Sequence, residues 1–116
     1  LEAGPRGSDG GVDGSGSTND GRKIYFQCRL RSKVLGKVDA LDFYENILKH
    51  KADVGIMLSG IGYTKNFSQY KFNYPELQNV KVHLLSLQDI FENNPKYLNM
   101  FEDLPPEVDL NKIFNS

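Results

Sequence analysis

Three consecutive stretches constrain this chain more than any other part of it. Lys23-Ile24-Tyr25-Phe26-Gln27-Cys28-Arg29 alternates as a strand does, the residues from about Lys37 to Lys51 repeat apolar side chains every three or four positions, and Asp53 to Leu58 is a short, almost continuously apolar run. Strand, helix, strand is a crossover unit, so the two strands are expected to lie parallel with a right-handed connection. The apolar run fits a central strand covered on both faces. Together these predict an α/β architecture, a sheet flanked by helices.

In the helix, Val38, Leu41, Tyr44 and Leu48 line up at helical spacing with Ala40, Phe43 and Ile47 beside them, which predicts a broad inward stripe. Lys49, His50 and Lys51 fall in the last turn, where positive charge suits the helix dipole, and His50 reads as a capping or surface residue. Thr64 is expected to cap a second helix through about Tyr70, carrying Phe67 and Tyr70 inward and ended by Tyr74-Pro75. Val80 to Leu85 reads as a strand nearer the sheet edge, with His83 on its more polar side. Ser86 is expected to cap a helix containing Leu87, Ile90 and Phe91, which Asn93-Asn94-Pro95 stops, and Pro95 to Phe101 suggests one more helical turn. Residues 92–116 read as an extension packing on the domain or on a partner, with Leu104-Pro105-Pro106, Leu110, Ile113 and Phe114 as its arm.

The chain of 116 residues is long enough for one core. No run of about 18 apolar residues and no apolar leader is visible, so a soluble chain without membrane contact is expected. Cys28 is the single cysteine; it cannot form an internal disulfide, which fits an intracellular, reducing compartment, and its place on the predicted buried face makes it a poor nucleophile. Lys and Arg number 14 against 15 Asp and Glu, so net charge gives no global pull toward nucleic acid. The distribution is more informative. From Arg22 to Lys37 the basic residues Arg22, Lys23, Arg29, Arg31, Lys33 and Lys37 occur without an acidic one, a run that fits either a phosphate-binding patch or a solvated loop.

Upstream of the first strand lies Asp9-Gly10-Gly11-Val12-Asp13, and Thr18-Asn19-Asp20-Gly21 supplies the residue types a tight turn requires. A hairpin closed there brings Asp13 beside Gln27 and Arg29. Ile24, Phe26, Cys28 and Leu30 would face the core, and Lys23, Tyr25, Gln27 and Arg29 a polar side. A carboxylate, an amide oxygen and a cation in one place suit a hard divalent cation and a phosphate, while the same pieces also make an ordinary hairpin.

These residues carry a resemblance to the Mrr-like branch of the restriction endonucleases, within the PD-(D/E)xK superfamily. The family's Gly-Asp-Gly-Gly-Val-Asp is similar to Gly7-Ser8-Asp9-Gly10-Gly11-Val12-Asp13 with one inserted Ser, and its Gln-Cys-Lys to Gln27-Cys28-Arg29. The likeness continues through the helix begun at Gly36, the strand at Val54, Thr64-Lys65 and Leu87-Gln88-Asp89-Ile90, covering residues 1–91 as one domain. It implies a mixed central sheet flanked by helices, with the family's first helix missing ahead of Leu1 and a homodimer or protein partner covering that face.

It also implies a DNA endonuclease in which Asp13, Gln27 and the Cys28 carbonyl hold Mg²⁺ or Mn²⁺, with Asp13, Gln27 and Arg29 as the catalytic set. The nucleic-acid contacts would fall to Arg22, Lys23, Arg31, Lys33 and Lys37. Arg29 stands where the family has Lys. Arginine cannot give up its proton, so it can stabilise charge but cannot act as a base, and loss of a general base typically costs ~10²–10⁴ in rate. Lys23 does not replace it, because four residues of strand put it about 13 Å from Gln27. The alternative is a nuclease-fold domain without catalysis, serving DNA binding or protein assembly.

Overall fold

The computed structural model describes residues 12–18 and 20–100. Its centre is a four-stranded mixed sheet in the order β1 (Val12–Ser17), β2 (Lys23–Arg29), β3 (Val54–Ser59), β4 (Lys81–Ser86). The hairpin closes between β1 and β2: the Thr18 N–H donates to the Arg22 carbonyl at 2.8 Å, and Gly21 takes a φ of 87°, a conformation that favours glycine. The resulting antiparallel register sets Asp13 opposite Gln27. From β2 the chain crosses through α1 (Lys37–His50) to β3, which lies parallel to β2, and β4 then lies parallel to β3. All six residues of β3 are buried, as expected of a central strand, and β1 and β4 are the two edges among the described strands.

Each sheet face has its own apolar layer. Tyr25 and Met57 face Ala40, Phe43, Tyr44 and Ile47 of α1, together with Leu35, Phe67 and Leu77. Gly55 lets α1 approach this closely, since a Cβ there would lie 2.4 Å from Ile47 Cδ1. Ile24, Phe26, Cys28, Val54, Ile56, Leu58 and Leu85 form the opposite layer, closed by Met100 with Leu87, Ile90 and Tyr97. Those last residues belong to the short helices α2 (Leu87–Phe91) and α3 (Pro95–Met100). Burying a side chain such as Phe43 or Ile47 stabilises the fold by about 1.5–3 kcal/mol, so both layers are strong contributors.

Several expectations change in the fold. The face of β2 bearing Tyr25, Gln27 and Arg29 is buried, because α1 lies over it, while Leu30 is exposed. The inward stripe of α1 is centred on Ala40, Phe43, Tyr44 and Ile47, and Val38 is 80% exposed. Two residues of helix rotate a side chain by about 200°, which carries Val38 away from the face that Ala40 buries. The second helix is instead a pair of 3₁₀ segments, Phe67–Asn73 and Pro75–Leu77; the Thr64 carbonyl, and not its hydroxyl, receives the Phe67 N–H. Pro75 lacks an N–H and bars the preceding residue from α geometry, so a longer helix cannot run through it.

Phe67 is buried there and Tyr70 only partly. Ser86 does cap α2, its Oγ accepting from the Asp89 N–H at 3.3 Å while Asp89 Oδ2 accepts from the Ser86 N–H at 2.8 Å. Phe91 in the same helix is exposed, and Asn93 adopts a φ of 52° beyond its end. The expectations for residues 1–11 and for the arm after residue 100 lie outside the described residues.

Candidate active site at the carboxyl end of β2

The site begins with pleat and register. Tyr25, Gln27 and Arg29 alternate with the apolar residues of β2 and share the face under α1, and β1 holds Asp13 directly across from Gln27. Arg29 Nη1 donates to Asp13 Oδ1 at 2.8 Å and also to the Cys28 carbonyl oxygen at 2.8 Å, while Nη2 lies 3.5 Å from Asp13 Oδ2. A third acidic contact comes from α1, where Asp42 Oδ2 is 3.7 Å from Arg29 Nη2. Gln27 is fully buried and engaged at both ends of its amide: Oε1 accepts from the Tyr25 hydroxyl at 2.7 Å, and Nε2 donates to Asp42 Oδ2 at 3.0 Å.

Burial works against charge on Arg29. The hydrogen bond and Coulombic attraction of Asp13, aided by Asp42 and Tyr25, outweigh it and raise its pKa, so the guanidinium stays charged. The side chain is only 9% exposed and its charge is spent inside the protein. Cys28 contributes its carbonyl to this cluster, while its thiol points into the opposite layer, where burial pushes the pKa up to about 11. The thiol is therefore a weak nucleophile at neutral pH. Among the described residues, no cluster of three or more His, Cys, Asp or Glu side chains is placed to hold a metal ion.

The six basic residues do not form one patch. Arg22 and Lys23 lie at the amino end of β2, and six residues of strand separate Lys23 from Arg29, about 20 Å. Arg22 is paired with Asp20 at 3.1 Å, and the Lys23 backbone N–H donates to Asp53 Oδ2 at 2.8 Å. Arg31 follows the site and pairs with Asp39 in the first turn of α1, while Lys33 and Lys37 on the same loop and helix start are exposed. His50 is exposed, with its ring stacked on Tyr25 at a centroid distance of 5.0 Å, and His83 is half-buried on β4.

Three participants escaped the sequence reading. Asp42 was hidden because its partners lie 13 and 15 positions away across the crossover, although its position next to Phe43 places it at the border of the buried stripe. Tyr25 counted as a residue of a polar face, although its spacing of two from Gln27 already put both on one side. Asp39 was available as the only acid in the first turn of α1, within reach of the preceding basic loop.

The mixed sheet with flanking helices, and a carboxylate facing Gln-Cys-Arg on adjacent strands, define a restriction-endonuclease-like α/β domain. The chain belongs to the Mrr-type restriction endonuclease family: the family model Mrr_cat, described as restriction endonuclease, matches residues 1–92. No curated protein and no solved structure gives a significant match. Members of this nuclease fold act on DNA and typically use divalent metals. No helix among the described residues is long and apolar enough to cross a membrane.

Proposed function

We propose that this domain binds DNA as a nuclease fold whose metal centre has been replaced by an internal cation, Arg29, and that it does not cleave. The observation that carries this reading is the position of Arg29 Nη1, 2.8 Å from Asp13 Oδ1 and 2.8 Å from the Cys28 carbonyl oxygen. Those are two of the three oxygens that the family resemblance assigns to Mg²⁺. The third, Gln27 Oε1, accepts a hydrogen bond from the buried Tyr25 hydroxyl. A divalent ion entering here would have to displace a charged guanidinium from both oxygens and break the Tyr25 contact, so the residues present do not fit it.

Two further consequences follow from arginine chemistry. Arg29 cannot serve as a general base, and its planar fork is committed to Asp13, so it is not free to orient a phosphate. DNA binding falls instead to the exposed Lys33 and Lys37 at the same end of the sheet, with Arg31 beside them. Lys23 and Arg22 stand too far along β2 to join that contact with the same phosphates.

The test uses supercoiled plasmid with Mg²⁺ or Mn²⁺ and a gel shift of the same DNA, comparing the natural sequence with Arg29→Lys and Asp13→Ala. The expected result is a shift without nicking for the natural chain, and metal-dependent nicking for Arg29→Lys that disappears when Asp13→Ala is added. Nicking by the natural chain that is abolished in Asp13→Ala overturns the proposed loss of cleavage. Absence of any shift overturns the DNA-binding part.

A further inference from the structure

The loops that follow β2 and β3 are stitched into one platform. The Gly60 N–H donates to the Arg29 carbonyl at 3.2 Å, the Leu35 N–H to the Gly62 carbonyl at 3.0 Å, and the Thr64 N–H to the Leu35 carbonyl at 2.9 Å. Their approach is so close that a Cβ on Gly60 would lie 2.8 Å from the Arg31 carbonyl oxygen and 3.4 Å from Leu30 Cα. Only glycine fits without displacing backbone. This platform therefore fixes the backbone from which its side chains project.

Leu30, Val34 and Ile61 on these loops, and Val38 in the adjoining first turn of α1, are 44%, 49%, 57% and 80% exposed. They are four of the seven large exposed apolar side chains among the described residues, gathered at one end of the sheet. Apolar residues scattered singly on a surface need no explanation, but this concentration does. Exposed Lys33 and Lys37 alternate with them along the chain, and no acidic residue occurs between Leu30 and Val38. Apolar tips set among lysines complement a polyanion that carries apolar surfaces behind its charges, which describes the stacked bases of duplex DNA behind their phosphates.

We infer that Leu30, Val34, Val38 and Ile61 form an apolar wedge on a fixed backbone, flanked by Lys33 and Lys37, that enters duplex DNA and opens its stack at one base step. This rests on the DNA-binding reading above and adds the structural class of DNA it recognises: duplex with a weakened step. Aliphatic side chains inserted between base pairs are an established way to kink DNA, and the unstacking they require is easier where pairing is already broken. The lysines supply the sequence-independent attraction.

The experiment compares two labelled short duplexes of the same length, one fully paired and one with a single central mismatch, titrated with the natural chain and its variants at several salt concentrations. The natural chain is expected to bind the mismatched duplex about tenfold more tightly, the part of the unstacking cost that a broken pair removes. Val34→Ser with Ile61→Ser should erase that preference and leave the salt slope unchanged. Lys33→Ala with Lys37→Ala should weaken both duplexes alike and reduce the slope by about 2. Val38→Ser alone, at the most exposed position, gives a second apolar variant with little reach into the core, and it should reduce the preference in part.

Equal binding of both duplexes by the natural chain overturns the wedge while leaving DNA binding intact. Retained preference in both apolar variants also overturns it. No binding of either duplex fails the DNA-binding reading itself, and the wedge falls with it.

Discussion

Arg29 and the loop that begins one residue later carry the same sign of charge to opposite ends. Arg29 is buried, held by Asp13 and Asp42 and bonded to the Cys28 carbonyl, so its charge stabilises the fold. Lys33 and Lys37 are exposed, at the same end of the sheet, and available to a partner. Arg31 lies between these extremes, partly exposed and paired with Asp39. The lesson is that a basic run counts toward nucleic-acid binding only after the charges neutralised from other elements have been subtracted. Here the subtraction removes Arg29, the residue that the family resemblance sets in the place of a catalytic lysine.

The largest effect should come from deleting the buried cation. Arg29→Met removes the guanidinium that Asp13, Asp42 and the Cys28 carbonyl share. Removing one partner of a buried pair costs several kcal/mol, reduced here to about 3 kcal/mol because Asp13 and Asp42 keep some contact with water. Chemical denaturation measures it, and a loss below 1 kcal/mol would mean that the cluster is ordinary surface. The same variant should gain an affinity for Mg²⁺ that the natural chain lacks. At a concentration of roughly a hundred times the dissociation constant, binding would restore about 2.7 kcal/mol, read as a rise in Tm with added metal. A natural chain whose Tm rises equally with Mg²⁺ would contradict the internal-cation account.

High pH probes the layers on either side of the site and should have a smaller effect. Burial raises the Cys28 pKa from 9.0 to about 11 and that of Tyr44 from 10.0 to about 12. Both groups are neutral when protonated, so the folded state holds its proton more tightly than the unfolded state. Stability is then full below pH 9 and declines as the pH rises from 9 to 12, whereas Arg29 keeps its charge throughout. A denaturation series across that range that remained flat would show that the two side chains are hydrated. Last, Lys33→Ala with Lys37→Ala should change stability by less than about 0.5 kcal/mol, since neither residue is buried. A larger loss would give these lysines a structural role and blur the contrast with Arg29.

Much of the architecture was legible because it depends on period and local chemistry. The alternation of β2, the apolar run of β3 and the spacing of α1 specify a crossover, and Asp20-Gly21 together with Thr18 specify the turn that sets Asp13 beside Gln27. Ser86 with Asp89 specifies its own helix start, since both partners lie within four residues. The 3₁₀ segments were less legible. Phe67 and Tyr70 have a spacing that serves an α-helix and a 3₁₀-helix alike, and only the packing under α1 and the stop at Pro75 distinguish them.

The sequence by itself determined the family of this chain, its hairpin and parallel crossover, and the pairing of Asp13 with the Gln-Cys-Arg strand, because side-chain alternation and turn chemistry act over a few residues. Only the tertiary structure decided what Arg29 does. Laying α1 across β2 turned an apparently polar face into a buried one, and a buried guanidinium must find anionic and carbonyl partners in the protein. The oxygens it found, Asp13 Oδ1 and the Cys28 carbonyl, are two of the three that the family resemblance assigns to a metal.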